Sequence, residues 1–183
     1  MVAAPAAVAM VWRWLYNSEF GLLNHFLDIV GIDSVTWLSD PNIAFASIAM
    51  VGVWSVLGYN MVLFLAGLQE IPQDYYEAAE IDGASKIRQF FTITIPLLSS
   101  TMFFVTVTRI ISALQVFDSI YIMMDKTNPA LPKTQSLVFL FYKYSFQESN
   151  RGYGSTVVLL LLAVIMVITV IQLRIQKRSE GYK

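Results

Sequence analysis

The sequence predicts an all-α, polytopic membrane helix bundle, and three observations carry that prediction. First, 56% of the 183 residues are hydrophobic and only 14% are charged, where soluble domains hold about 45–50% and about 25%. The mean hydropathy is +0.59. Second, three stretches are long and apolar enough to cross a bilayer. Third, most charges fall in the segments between and after those stretches. This balance excludes a disordered chain, a basic nucleic-acid-binding domain and an ordinary soluble enzyme. A net charge of −1 provides no field to draw a polyanion, so no nucleic-acid partner is expected. There is no Cys, hence no disulfide, thiol chemistry or Cys-ligated metal. The single His, His25, leaves no imidazole pair for a metal or a proton relay, and we read it as a surface residue.

The spans follow from length. A crossing helix needs about 20 mostly apolar residues, because each residue rises ~1.5 Å and the hydrocarbon core is ~30 Å thick. Residues 44–68 run 25 residues without a charge. From Gln89, 20 uncharged residues precede Arg109, and apolar character continues to Phe117. We place that span at 93–117. Gly152 to Leu173 gives 22 uncharged residues, the span 152–173. A soluble core helix would be shorter and would carry a polar face. Residues 1–16 are apolar but reach Arg13 too soon to cross alone. A signal peptide would carry a basic segment before its apolar run, and none precedes this one. We expect a spanning helix that lacks its first half. The whole chain, 1–183, reads as one transmembrane domain.

Orientation comes from the cations. Lys86, Arg88, Arg174, Lys177, Arg178 and Lys183 lie on one side, and Arg13, Lys126, Lys133, Lys143 and Arg151 on the other. The cluster after the last span sets the orientation, placing the C-terminus and the loop 69–92 in the cytoplasm. Gly21–Asp40 and Tyr121–Arg151 then face outward. Within the latter, Ser136–Tyr142 is a short apolar run, suited to a helix lying on the outer face or packed into the bundle.

The loop 69–92 is the most informative segment. Pro72 suits the first turn of a helix, where its missing N–H costs nothing. Gln73 to Asp82 favour helix, and Asp82-Gly83 stops it, with Gly able to take the left-handed position. Ser85 is placed to cap a second short helix from Lys86 to Phe91. The first helix carries Asp74, Glu77, Glu80 and Asp82 with no base. Anionic lipid repels such a face, whereas an interfacial anchor is rich in Lys and Arg. A protein partner is therefore favoured over a membrane-surface connector. Ala78 and Ala79 admit close approach, and Glu77 is a carboxylate able to pair with an Arg. Tyr75 and Tyr76 are expected at headgroup level.

Glu77-Ala78-Ala79, three residues, Gly83, nine residues, Ile93, one residue, Ile95-Pro96 resembles the EAA signature of bacterial ABC importer permeases, EAA-x3-G-x9-I-x-L-P. Ile95 replaces the family's Leu. The words AGLQEIP, YYEAAEIDGAS and FDSIYIM resemble the branch for sugars and glycerol phosphate. The resemblance covers nearly the whole chain. It implies that this loop is a coupling helix docking in a cytoplasmic ABC ATPase dimer. Glu77, Ala78, Ala79, Asp82, Gly83 and Pro96 would form that coupling unit. It further implies a second permease subunit and an extracytoplasmic solute-binding protein as partners, with membrane lipid around the spans. ATP and magnesium would sit on the ATPase. This chain would bind no cofactor and catalyse nothing, since it has no GxxxxGK[ST] loop. Location in the bacterial inner membrane follows. The resemblance also places Met1 inside the third family span, so an N-terminal truncation is expected.

Arg109 is the only charge within a predicted span. It lies 13 residues past Pro96, about 20 Å along a helix, where facing lipid is costly. Thr101, Thr108, Ser112 and Gln115 mark a polar stripe beside it. We take Arg109, Ser112 and Gln115, with Trp54 and Asn60 on the preceding span, as candidates for the solute path. Packing and interfacial anchoring are the plainer roles for Trp54, Asn60 and Gln115. Asp118 is a weaker candidate, as counter-ion to Arg109. Catalytic and metal-ligating residues are not expected. An intramembrane enzyme needs a catalytic pair in the spans, and none is present. A channel subunit needs a filter or charged ring and has no use for a coupling loop. The remaining alternative is a truncated, non-transporting membrane scaffold that retains the loop.

Overall fold

A computed structural model describes residues 4–180, with side chains through Gln176. The expected helix start at Met1, the side chains of Lys177 and Arg178, and Lys183 lie outside the described residues. No strand occurs among the described residues. Ten α-helices follow in order: α1 Pro5–Leu15, α2 Leu22–Ile29, α3 Ala44–Gln69, α4 Asp74–Ile81, α5 Lys86–Gln89, α6 Ile95–Leu114, α7 Asp118–Met123, α8 Leu131–Thr134, α9 Leu137–Tyr142 and α10 Arg151–Glu180. One π-helical turn, Phe90–Thr94, joins α5 to α6, and a second, Lys143–Gln147, follows α9.

Three continuous helical runs are long and apolar enough to cross a membrane: Ala44–Gln69, Lys86–Leu114 and Arg151–Gln176, of 26, 29 and 26 residues. These lengths correspond to roughly 39–44 Å. Only 11% of the most apolar stretch of each is buried within the chain. Their apolar sides are left for lipid or other helices. The π turn has a local cause. Pro96 has no N–H to give Thr92 and its ring crowds that carbonyl. The wider turn before it re-routes the ladder, so that Ile95 N–H reaches Phe90 O.

The second span is shorter at its far end than expected. Helix α6 stops at Leu114, and Phe117 leaves helical geometry at φ −133° before α7 begins at Asp118. The Ser136 hydroxyl donates to the Val116 carbonyl freed by the break. Apolar sequence continues through Phe117, which is why composition alone overran the boundary. Asp118 starts a separate helix, where its charge favours the α7 N-terminus.

Packing divides the chain into two units, Met1–Val56 with Ile111–Ile168, and Leu57–Ile110 with Thr169–Lys183. The first unit has two apolar clusters. One joins Ala44 and Ile48 of α3 to Ile120, Met124, Ala130, Leu131 and Phe139. The run at 136–142 is thus packed inward through Phe139, which is buried. The other cluster sets Ala9 and Tyr16 against Val51 and Met123. Trp54, Trp12, Tyr16 and Trp37 form a chain of ring contacts 5.3–5.6 Å apart. Buried Asn24 ties the segment after α2. Its Nδ2 donates to Ser18 O and Val35 O, and its Oδ1 accepts from Val35 N–H and Trp37 Nε1–H. Gly154 on α10 lies against Ser145, where a Cβ would sit 1.9 Å from the hydroxyl oxygen.

In the second unit α3 and α6 approach closely at Gly67. A Cβ there would lie 2.5 Å from Thr101 Oγ1 and 2.9 Å from Leu98 Cδ1. Gly67 is the residue that admits this crossing.

Candidate functional site

The coupling unit is built by two short helices and the turn between them. Helix α4 starts at Asp74 rather than Gln73. Gln73 is its N-cap through the backbone, its carbonyl accepting from Tyr76 and Glu77 N–H. Pro72 therefore sits just before the cap, not in the first turn. Asp74 and Glu77 in that turn complement the helix dipole. The C-terminus closes as a Schellman motif. Ala84 N–H reaches Ala79 O at 2.9 Å, Gly83 N–H reaches Glu80 O at 3.0 Å, and Gly83 takes φ +72°. Ser85 Oγ then accepts from Arg88 N–H and caps α5. Buried Gln89 folds back onto the turn, its Nε2 donating to Ala84 O at 3.1 Å. An ion pair between Lys86 and Glu80 bridges the two helices.

Tyr76 fastens this unit to the following span. Its hydroxyl is 2.9 Å from Thr94 Oγ1, and Thr94 is buried. Tyr76 is thus a structural tie, whereas headgroup anchoring was expected of it. Tyr75 is 54% exposed and remains placed for anchoring. Glu77 and Ala78 are exposed, and Ala79 is half-buried. Asp82 is the exposed C-cap residue of α4, and Pro96 is exposed on α6. Ile81 and Ile87 are 88% and 74% exposed. A short, well-stopped helix pair that exposes a carboxylate and large apolar side chains has the chemistry of a docking surface.

Of the solute-path candidates, Trp54, Ser112 and Gln115 belong to the first unit and Asn60 and Arg109 to the second. Arg109 is half-buried, with its guanidinium carbon 5.5 Å from the Tyr59 ring centroid and its Nε buried without a hydrogen-bond partner. Asn60, next to Tyr59 in the chain, also buries Oδ1 without a partner. Gln172 buries both amide atoms in the same way, a feature that composition did not single out. Trp54 packs edge-on against Trp12, as a helix-packing residue does. Ser112 and Gln115 are exposed, and Gln115 lies just past the end of α6. The polar stripe is partly self-satisfied. Thr108 Oγ1 donates within its own helix to Phe104 O, and Thr101 packs on Gly67. Asp118 belongs to the first unit and Arg109 to the second.

An aromatic cluster in the first unit escaped the reading of the sequence. Phe117 stacks on Tyr121 at 5.2 Å, Tyr142 meets both edge-on, and Phe146 stacks on Tyr142 at 5.7 Å. The Tyr142 hydroxyl donates to that of Tyr121. Phe117 with Tyr121 and Tyr142 with Phe146 are each four residues apart, but the meeting of the two pairs is a tertiary contact that local spacing does not announce. Nearby, Lys126, Asn128, Gln135, Lys143 and Gln147 line a cleft of about 210 Å³. Among the described residues no group of His, Cys, Asp and Glu is placed to hold a metal.

The fold is that of an ABC importer permease. A chain of a bacterial ABC transporter involved in import of the acidic polysaccharide alginate superposes with a TM-score of 0.86 at 21% identity, covering 96% of this chain and 61% of that one. The chain belongs to the family of binding-protein-dependent transport system inner membrane components, whose pattern matches residues 2–181. It is a multi-pass membrane protein of that family of transport components. It is 37% identical to the sulfoquinovosyl glycerol permease protein SmoG of Agrobacterium fabrum, over 97% of this chain and 58% of that protein. It is 37% identical to the trehalose/maltose permease protein MalF of Thermococcus litoralis, over 94% and 58%. For the sn-glycerol-3-phosphate permease protein UgpA of Pectobacterium atrosepticum the identity is 32%, over 98% and 60%. The chain thus spans about three fifths of the length of these relatives.

Proposed function

We propose that this chain is the coupling and path-forming part of a permease subunit in an ATP-driven importer for sugars or related polar solutes. The observation that supports this most directly is the coupling unit. In a chain of this family, a Schellman-stopped helix presents Glu77 and Ile81 outward while Tyr76 ties it to the span beginning at α5. A rigid link of this kind passes movement of a docked partner to the spans, because neither the turn nor the tie stretches. Glu77 pairs with a basic group of a cytoplasmic ATPase, Ala78 and Ala79 admit its surface, and Asp82 and Gly83 set the turn. Pro96 and the π turn before it make the joint between coupling unit and span.

The partners follow from the same reading. Two copies of an ATPase supply ATP hydrolysis with magnesium, and a second permease subunit completes the path. A solute-binding protein delivers from the opposite face; one related assembly was crystallised with its alginate-pentasaccharide-bound periplasmic protein. The C-terminus and loop 69–92 lie in the cytoplasm. The relatives' solutes, sulfoquinovosyl glycerol, trehalose or maltose, and glycerol 3-phosphate, support a sugar or polyol derivative as the cargo. Arg109 and Asn60 line the path.

The test is uptake of radiolabelled sugars into proteoliposomes holding the native-length protein with its ATPase and partner permease. ATP-dependent accumulation supports the reading. Its absence, with all subunits present and the binding protein loaded, contradicts it.

A further inference from the structure

We propose that Arg109 recognises an anionic group on the transported solute, a sulfonate, phosphate or carboxylate; this rests on the importer reading above. Arg109 lies 14 residues past the start of α6 at Ile95 and five before its end at Leu114, within the membrane-crossing run Lys86–Leu114. A cation inside such a run is costly unless paired. Among the described residues the ion pairs are Arg13–Asp125, Lys86–Glu80 and Lys143–Glu148, and none involves Arg109. Among the described residues the Tyr59 ring, 5.5 Å away, stands against its guanidinium. A ring face offsets only part of the cost of taking a cation out of water.

That contact also orients the side chain. Tyr59 is ten residues from the end of α3 at Gln69, so Arg109 is held against a neighbouring helix and not lifted towards a headgroup. With one face of the guanidinium covered and Nε buried, the two terminal nitrogens are left as a fork. A planar fork of N–H donors matches two oxygens of a carboxylate, phosphate or sulfonate better than it matches sugar hydroxyls. A solute bearing such a group supplies the missing counter-charge only while it occupies the path, which suits a site that must also release.

The experiment uses the native-length protein in its complete complex, in proteoliposomes of neutral lipid and of lipid containing phosphatidylglycerol. The probes are glycerol 3-phosphate, sulfoquinovosyl glycerol and a glucuronate disaccharide, against maltose, trehalose and xylose. Variants are Arg109→Gln, Arg109→Lys and Tyr59→Leu, each checked for copurification with the ATPase. We expect an anionic probe to be imported, at least about tenfold less by Arg109→Gln, with partial rescue in Arg109→Lys and the same rates in both lipids. Import confined to neutral sugars overturns the anion assignment while leaving the importer intact. Import of an anion unaffected by Arg109→Gln overturns the role of Arg109. A defect that tracks phosphatidylglycerol content assigns Arg109 to lipid phosphate instead. Loss of ATPase copurification in both Arg109→Gln and Arg109→Lys assigns it to assembly. No import of any probe by the wild-type complex removes both readings together.

Discussion

At the residue scale the coupling unit depends on one left-handed position. Gly83 has φ +72°, and a Cβ there would meet no atom within 4 Å. Any cost of substitution is therefore backbone strain alone, about 1–2 kcal/mol for most side chains and less for Asn. Gly83→Asn should retain ATPase association, and Gly83→Val should weaken it, as read by copurification from membranes. Asn24 is a second single-residue dependency. It satisfies four partners from a buried position, so Asn24→Leu strands several polar groups at about 1–3 kcal/mol each. The expected outcome is a clear fall in melting temperature in detergent, with the coupling unit unaffected. Gly83 and Ser85 were legible because their roles are local: a stop and a cap are read from the next three residues. Asn24 was not, because its partners are fixed by a loop path up to 13 residues away. Tyr76 was missed in the same way, since its tie to Thr94 crosses a turn.

At the element scale the long helices were legible and their ends less so. Composition locates a span because the bilayer demands length and apolarity. It does not locate the break after Leu114, which depends on Ser136 capturing the Val116 carbonyl. The crossing of α3 and α6 at Gly67 is likewise a packing fact. Gly67→Ala should lower the melting temperature, because its Cβ would stand 2.5 Å from Thr101 Oγ1. Thr101→Ala in the same chain removes that oxygen and should recover part of the loss, since Leu98 Cδ1 at 2.9 Å stays in the way, the non-additivity that marks a direct contact. By contrast, Arg13–Asp125 is half-exposed on both sides. Asp125→Asn should cost no more than about 1 kcal/mol, measured by the same melting assay. Of the path candidates, the sequence picked out Arg109 by its charge alone. Its Tyr59 contact required the pairing of two helices to be seen.

At the scale of the whole molecule, the parts fit a permease in which most of the spans' surface is left for lipid and other helices. Only 11% of each span's most apolar stretch is buried, and the coupling unit projects Ile81 and Ile87 outward. Both features are costly for a chain alone and ordinary for a subunit of an assembly. The central claim is that this outward unit grips an ATPase. The direct measurement is to tag the native-length protein, purify it from membranes in mild detergent and identify what accompanies it, for wild type and for Glu77→Lys. Glu77 is exposed and makes no ion pair among the described residues, so this change should leave folding and melting temperature unaltered. A stoichiometric ABC ATPase is expected with the wild type, and its loss from a normally folded Glu77→Lys. A wild-type protein that purifies with its partner permease but without any ATPase would contradict that claim.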